Sequence, residues 1–174
     1  MNLLVIRHAI AEDKERFAAT GRSDDQRPLT EEGRTKMRRG AEGVRLVSPR
    51  VTVLASSPLV RARETAEILA PALKITRVEI VDALRPESSF DELVAWLRGR
   101  VPPNDDDDTA VAVVGHEPHL SGLVTWLMTG QKDSRLELKK GGACLLSFDR
   151  APAAGEATMR WLLTPGQLRD LSGR

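Results

Sequence analysis

The strongest constraint in this chain is the alternation of short apolar runs, rich in β-branched residues, with longer amphipathic stretches. Strands buried on both faces read as continuous apolar runs, and the helices covering them repeat apolar residues every three to four positions. The pattern is that of an α/β domain. It predicts strands at 2–6, 51–55, 76–81, 110–115, 143–149 and 157–163, and helices at 30–47, 58–73, 89–99 and 118–129. Thr30 stands before Glu31, Glu32 and Gly33 as an N-cap, Ser57 before Pro58 reads as a cap with proline at the first helical position, and Pro118 opens the fourth helix. No helical segment separates the last two strands, and Ala151 to Gly155 reads as a hairpin. The expected architecture is a three-layer α/β sandwich: about six strands, mostly parallel with an antiparallel edge, and helices on both faces. At 174 residues the chain has the length of one domain, expected to span 1–174.

Composition narrows the function. Lys plus Arg total 26 against 25 acidic residues, a formal net charge of +1, so no long-range field draws a polyanion and nucleic acid is not an expected partner. The single Cys144 cannot form an internal disulfide and suits a reducing compartment; within Ala143-Cys144-Leu145 it reads as a small buried hydrophobe. Leu3 to Ile6 is too short for a signal-peptide core, and no apolar run approaches the ~18 residues of a membrane span. A cytoplasmic monomer without membrane contact is expected. Asp105 to Asp108, after Pro102-Pro103-Asn104, lacks the ligand spacing of a calcium loop and reads as a solvated turn.

The polar residues of interest follow the apolar strands. The first strand ends at Arg7-His8, the second at Ser56-Ser57 leading to Arg61, and the fourth at Gly115-His116-Glu117. In open α/β sheets ligands bind at the carboxyl ends of strands, so parallel neighbours would bring two of the three histidines and two arginines to one crevice. Arg61, one turn into its helix, would join the helix N-terminus in facing an oxyanion, although a surface pairing with Glu64 or Thr65 accounts for it equally well. His119, in the first turn of a helix, reads as a surface residue, and Gly115 as a sharp turn or a close approach to ligand.

Arg7-His8-Ala9, Ser56-Ser57-Pro58-Leu59-Val60-Arg61-Ala62-Arg63-Glu64-Thr65-Ala66 and Val114-Gly115-His116-Glu117-Pro118 together resemble the three signatures of the histidine phosphatase superfamily, with its phosphoglycerate mutase-like fold. The compact length and Leu138-Lys139-Lys140-Gly141-Gly142-Ala143 ahead of the fifth strand resemble the SixA-type protein phosphohistidine phosphatases. Ala9 stands where the family commonly has Gly.

The resemblance implies His8 as nucleophile, with Arg7, Arg61, His116 and the Glu117 backbone N–H around the phosphoryl group, and no cofactor or metal. Phosphoryl transfer depends on positioning and fixed positive charge around three equatorial oxygens, which arginines and a protonated or neutral donor His116 supply. Larger members of the superfamily add a carboxylic acid after the third strand. Glu87 is the only carboxylate of Leu84 to Ser89 and the candidate for that role, although a helix-start or surface role is the simpler reading. Without an acid, a labile phosphoryl group such as phosphohistidine is favoured, because imidazole, with a conjugate-acid pKa of ~6.5, departs already protonated. The expected partner is a phosphohistidine-bearing protein or a small phosphorylated metabolite. The loop from Glu12 to Arg27 is best placed to touch it, unless it is simply mobile and solvated.

The alternatives are a small-molecule phosphomonoesterase of the same superfamily, a non-catalytic module binding phosphorylated proteins, and a zinc hydrolase using His8, His116 and His119 with Glu117.

Overall fold

A computed structural model describes residues 1–100 and 108–173. Six strands, β1 (Asn2–Arg7), β2 (Arg50–Ser56), β3 (Val78–Ile80), β4 (Thr109–Gly115), β5 (Ala143–Phe148) and β6 (Ala157–Leu163), form one sheet in the order β3-β2-β4-β1-β5-β6. β1, β2, β3 and β4 pair in parallel, whereas β5 runs antiparallel to both β1 and β6. The expected mixed sheet and its terminal hairpin are both present.

Side chains alternate across β1, and the two faces bury separate cores. Leu3 and Val5 join Leu93, Leu97, Leu120 and Leu123 from α4 (Phe90–Arg98) and α5 (His119–Thr129). Leu4 and Ile6 join Met37, Val44, Ala66 and Leu69 from α2 (Glu31–Val47) and α3 (Val60–Ala72), with Leu168 of α6 (Pro165–Leu171). Cys144 is fully buried, and its thiol is pushed up to about 12 by burial and by the Glu117 charge. Trp96, Trp126 and Trp161 are partly buried against these cores. Among the described residues no helix is long and apolar enough to cross a membrane.

Caps and close approaches fix the elements around β1. The Thr30 hydroxyl accepts from the Gly33 N–H at 2.9 Å, as expected of an N-cap. At Gly33 itself α2 passes so close to the segment after β1 that a Cβ would lie 2.1 Å from the Ile10 carbonyl oxygen. Any larger residue would push the helix off that segment. Gly115 adopts no left-handed conformation; a Cβ there would meet the Leu120 side chain at 3.0 Å, so packing explains this glycine rather than a turn or a ligand.

Several local expectations change. Ser57 does not cap α3, which starts at Val60 with Leu59 as an N-cap lacking a side-chain bond; the Ser57 hydroxyl instead accepts from the Leu59 N–H at 3.3 Å, ahead of the helix, and lies 2.9 Å from His116 Nε2. β3 is confined to three residues. α1 (Lys14–Ala18) and α6, of five and seven residues, are too short to show helical periodicity. The loop from Glu12 to Arg27 is folded: Asp13 caps α1, Phe17 is buried and Asp24–Gln26 form a 3-10 turn. The turn read at Pro102 to Asp107 lies outside the described residues.

Candidate active site

Because β4 lies between β1 and β2, with Arg7 opposite Gly115 and Ser56 opposite Val114, the three polar strand ends are adjacent. The His8 N–H donates to the Gly115 carbonyl at 3.0 Å and the Ser57 N–H to that of Val114 at 3.0 Å, so the registers continue past the strands. The His8 and His116 ring centroids are 5.2 Å apart. Arg7, His8, Arg61, His116 and Glu117 line one cavity of about 620 Å³, within the ~300–1,000 Å³ common for ligand sites.

His8 is held in one tautomer. Its Nδ1 lies 2.7 Å from the Ala9 carbonyl oxygen, which can only accept, so Nδ1 carries the proton and Nε2 keeps a free lone pair. Burial, reinforced by the charges of Arg61, Arg7 and Arg27, outweighs the Ala9 bond and depresses the imidazole to about 3. The Ala9 N–H donates to the Thr65 hydroxyl at 3.0 Å, and that hydroxyl donates to the Arg61 carbonyl at 2.7 Å, which ties the residue after His8 to α3. His116 is depressed to about 2, first by burial and then by His8 and Arg61. Its Nε2 lies 2.9 Å from the Ser57 hydroxyl. A protonated His116 therefore does not describe the free protein; the ring is neutral.

The arginines are anchored at one end. Arg7 donates through Nη1 to the Leu138 carbonyl at 2.7 Å. Arg61 donates through Nη1 to the Asp24 carbonyl at 2.9 Å and pairs through Nη2 with the Asp24 carboxylate at 3.1 Å. The expected pairing with Glu64 is absent: that carboxylate accepts from the Leu29 N–H at 2.7 Å and from Arg34 at 2.8 Å. Among the described residues, Arg7 Nε, Arg61 Nε, His116 Nδ1 and Glu117 Oε1 are buried without a partner. Buried polar atoms left unpaired are costly, and these four belong to residues that line this one cavity.

Sequence reasoning missed Asp24 and Arg27 as members of the site. Both line the cavity, joined at 2.7 Å, while Arg27 Nη1 donates to the Glu12 carbonyl at 2.8 Å. Burial alone would raise the Asp24 carboxyl, but Arg27 and Arg61 outweigh it and hold it below its ordinary value. The available signal was an acid and a base three residues apart, directly ahead of the Pro28-Leu29-Thr30 helix start.

Other expected residues lie elsewhere. The Glu87 side chain is 71% exposed, does not line the cavity and lies 3.9 Å from Arg85. His119 is buried rather than superficial, with Nε2 3.1 Å from the Ser88 carbonyl and its ring against Phe90. Among the described residues no group of three or more His, Cys, Asp or Glu side chains is placed to hold a metal ion.

An open, mostly parallel sheet with an imidazole and arginine cluster at the carboxyl ends of β1, β2 and β4 defines a phosphoglycerate mutase-like α/β protein. The chain belongs to the histidine phosphatase superfamily (branch 1), whose family model matches residues 3–94. An uncharacterized protein of Picosynechococcus sp. is 35% identical over 143 residues, 82% of each chain. The structure of the protein histidine phosphatase SixA complexed with tungstate is similar with a TM-score of 0.79 and 24% identity, covering 97% of this chain and 99% of that one. The α-ribazole phosphatase from Shigella flexneri is similar with a TM-score of 0.70 and 17% identity, covering 95% and 97%.

Proposed function

We propose that the chain is a metal-independent phosphatase that removes a labile phosphoryl group, protein phosphohistidine first among them, through a phosphohistidine intermediate on His8. The observation that carries this reading is the state of His8: a neutral ring, its Nδ1 proton committed to Ala9, its Nε2 lone pair free, in an arginine-lined cavity. Attack by Nε2 on phosphorus breaks the bond to the leaving group, and water then displaces His8 in a second step. Arg7, Arg61, His116 and the Glu117 N–H hold the equatorial oxygens, where one such donor contributes about 10²–10³-fold. SixA, similar in fold, takes the oxyanion tungstate.

The surroundings of the cavity support this substrate class. Glu87 stands outside it, so the segment after β3 brings no acid to the leaving group. An imidazole needs none when its ring is already protonated. Residues 81–89 between β3 and α4 contribute only Pro86 to the lining, and a phosphorylated side chain of a folded protein fits a site without a flap. In this reading the chain acts as one domain, monomeric and cytoplasmic.

One observation favours a small phosphorylated metabolite instead. The Glu12 carboxylate lines the cavity without a partner among the described residues and could protonate an alkoxide. Wild type and Glu12→Gln, each given a phosphohistidine peptide, a phosphoserine peptide and 4-nitrophenyl phosphate, decide between the two. Phosphohistidine turnover at least about tenfold above phosphoserine, insensitive to Glu12→Gln, supports the main reading; efficient phosphoserine hydrolysis lost in Glu12→Gln supports the other.

A further inference from the structure

We infer that a second cavity, beside the reaction cavity and sharing Lys140 as a wall, receives the polypeptide flanking the phosphorylated histidine, with an apolar side chain over Gly40 and acidic residues on Lys140 and Arg169. The inference rests on the phosphoprotein reading above and adds a specificity site to it. The cavity has a volume of about 130 Å³ and lies between α2, the turn ahead of β5 and the start of α6. Its size is close to that of an apolar cavity of ~150 Å³ that binds benzene, so it accommodates one leucine or phenyl-sized group.

The cavity is not a packing accident of the kind that explains its neighbours. Gly33, Lys36, Met37 and Gly40 lie on one face of α2, spaced by three and four residues. Gly33 is required by the approach of the Ile10 carbonyl, whereas a Cβ on Gly40 would meet nothing within 4 Å. A glycine in a helix interior costs about 0.5–1 kcal/mol relative to alanine, and no steric contact requires this one. Its effect is to leave open the space between Met37, Ala9 and Pro165.

The rim sets the chemistry of the occupant. Lys36, Lys140 and Arg169 line the cavity, and no carboxylate does. Lys36 is paired with Glu32, but among the described residues neither Lys140 nor Arg169 has an acidic partner. An apolar floor beneath unpaired cations is complementary to an apolar residue next to Asp or Glu. The turn carrying Lys140 is fixed to the nucleophile's segment, since the Gly141 N–H donates to the Arg7 and His8 carbonyls at 3.2 and 3.1 Å. Lys140 faces both cavities. An extended peptide advances about 3.3 Å per residue, so a residue a few positions from the phosphohistidine reaches across it.

The test compares two phosphohistidine peptides, one flanked by Asp and Leu and one by Gly and Ser, with 4-nitrophenyl phosphate as a substrate that has no flanks. Gly40→Leu fills the cavity from a position that tolerates a side chain, and Arg169→Glu reverses the charge at its rim. The expected result is a wild-type kcat/KM about tenfold higher for the Asp/Leu peptide, a preference lost in both variants, with aryl phosphate turnover within about twofold of wild type and the Tm of Gly40→Leu no lower. No wild-type preference, a preference that survives both variants, or an equal loss on all three substrates overturns the inference. Aryl phosphate turnover without hydrolysis of either peptide marks instead the failure of the phosphohistidine reading, and the inference falls with it.

Discussion

His8 and His119 are both buried, each with one ring nitrogen on a backbone carbonyl, Ala9 for the first and Ser88 for the second. Burial lowers both from the ordinary imidazole value. Their surroundings divide them: His8 shares a cavity with Arg7 and Arg61, whereas His119 packs against Phe90 between α4 and α5. A neutral, oriented imidazole is thus a common product of burial and a hydrogen bond. What suits His8 to the proposed role of nucleophile is fixed positive charge in the same cavity.

The largest loss of activity is expected at His8. If His8 is the nucleophile as proposed, His8→Ala should lower kcat by at least about 10³-fold on every phosphorylated substrate. Arg61→Ala should cost about 10²–10³-fold, split between KM and kcat, if Arg61 acts on the phosphoryl oxygens as proposed, and it also releases Asp24. His119→Phe should leave kcat within about threefold but lower the Tm by a few degrees, the effect of ~1 kcal/mol from a lost buried hydrogen bond in a chain of this size. Steady-state kinetics and a thermal melt on the same three proteins separate these outcomes; a His119 variant as inactive as His8→Ala would erase the distinction.

The most general effect is on acid stability. His8, His116 and His119 all have folded-state pKa values below the unfolded ~6.5, so between those values the unfolded chain binds more protons. Their neutral forms favour the fold above pH 6.5, and that contribution is lost as pH falls from 6.5 toward the folded values of about 3 for His8 and about 2 for His116. The denaturation midpoint should decline over this window. His119→Phe, lacking one of the three groups, should decline less steeply.

The sequence made the site legible where chemistry coincides with strand ends. Arg7-His8, Ser57 and His116 follow apolar runs, and β1, β2 and β4 bring them together as parallel neighbours. It was silent where a contact joins distant segments. Nothing local indicates that Asp24 turns back to Arg61, 37 residues away, or that Arg85 reaches Asp25 across 60 residues. Ser57 shows the same failure from the other side: its local pattern is that of a helix cap, and its hydroxyl does accept from the Leu59 N–H ahead of the helix, but nothing local indicates its contact with His116, 59 residues on. The α6 start was readable in principle, since Thr164 and Gln167 form a capping box around Pro165. The cavity over Gly40 depends on how α2, α6 and the Lys140 turn pack, which no periodicity encodes.

The most direct test of His8 as nucleophile is to trap the enzyme during turnover. Rapid acid-free quenching with a phosphohistidine peptide, followed by intact-mass and peptide mapping, should find a phosphoryl group on His8 that is stable to alkali and lost in acid, and none on His8→Ala. Turnover at the wild-type rate by His8→Ala, or a phosphoryl group mapped to His116 or His119 instead, would contradict the account.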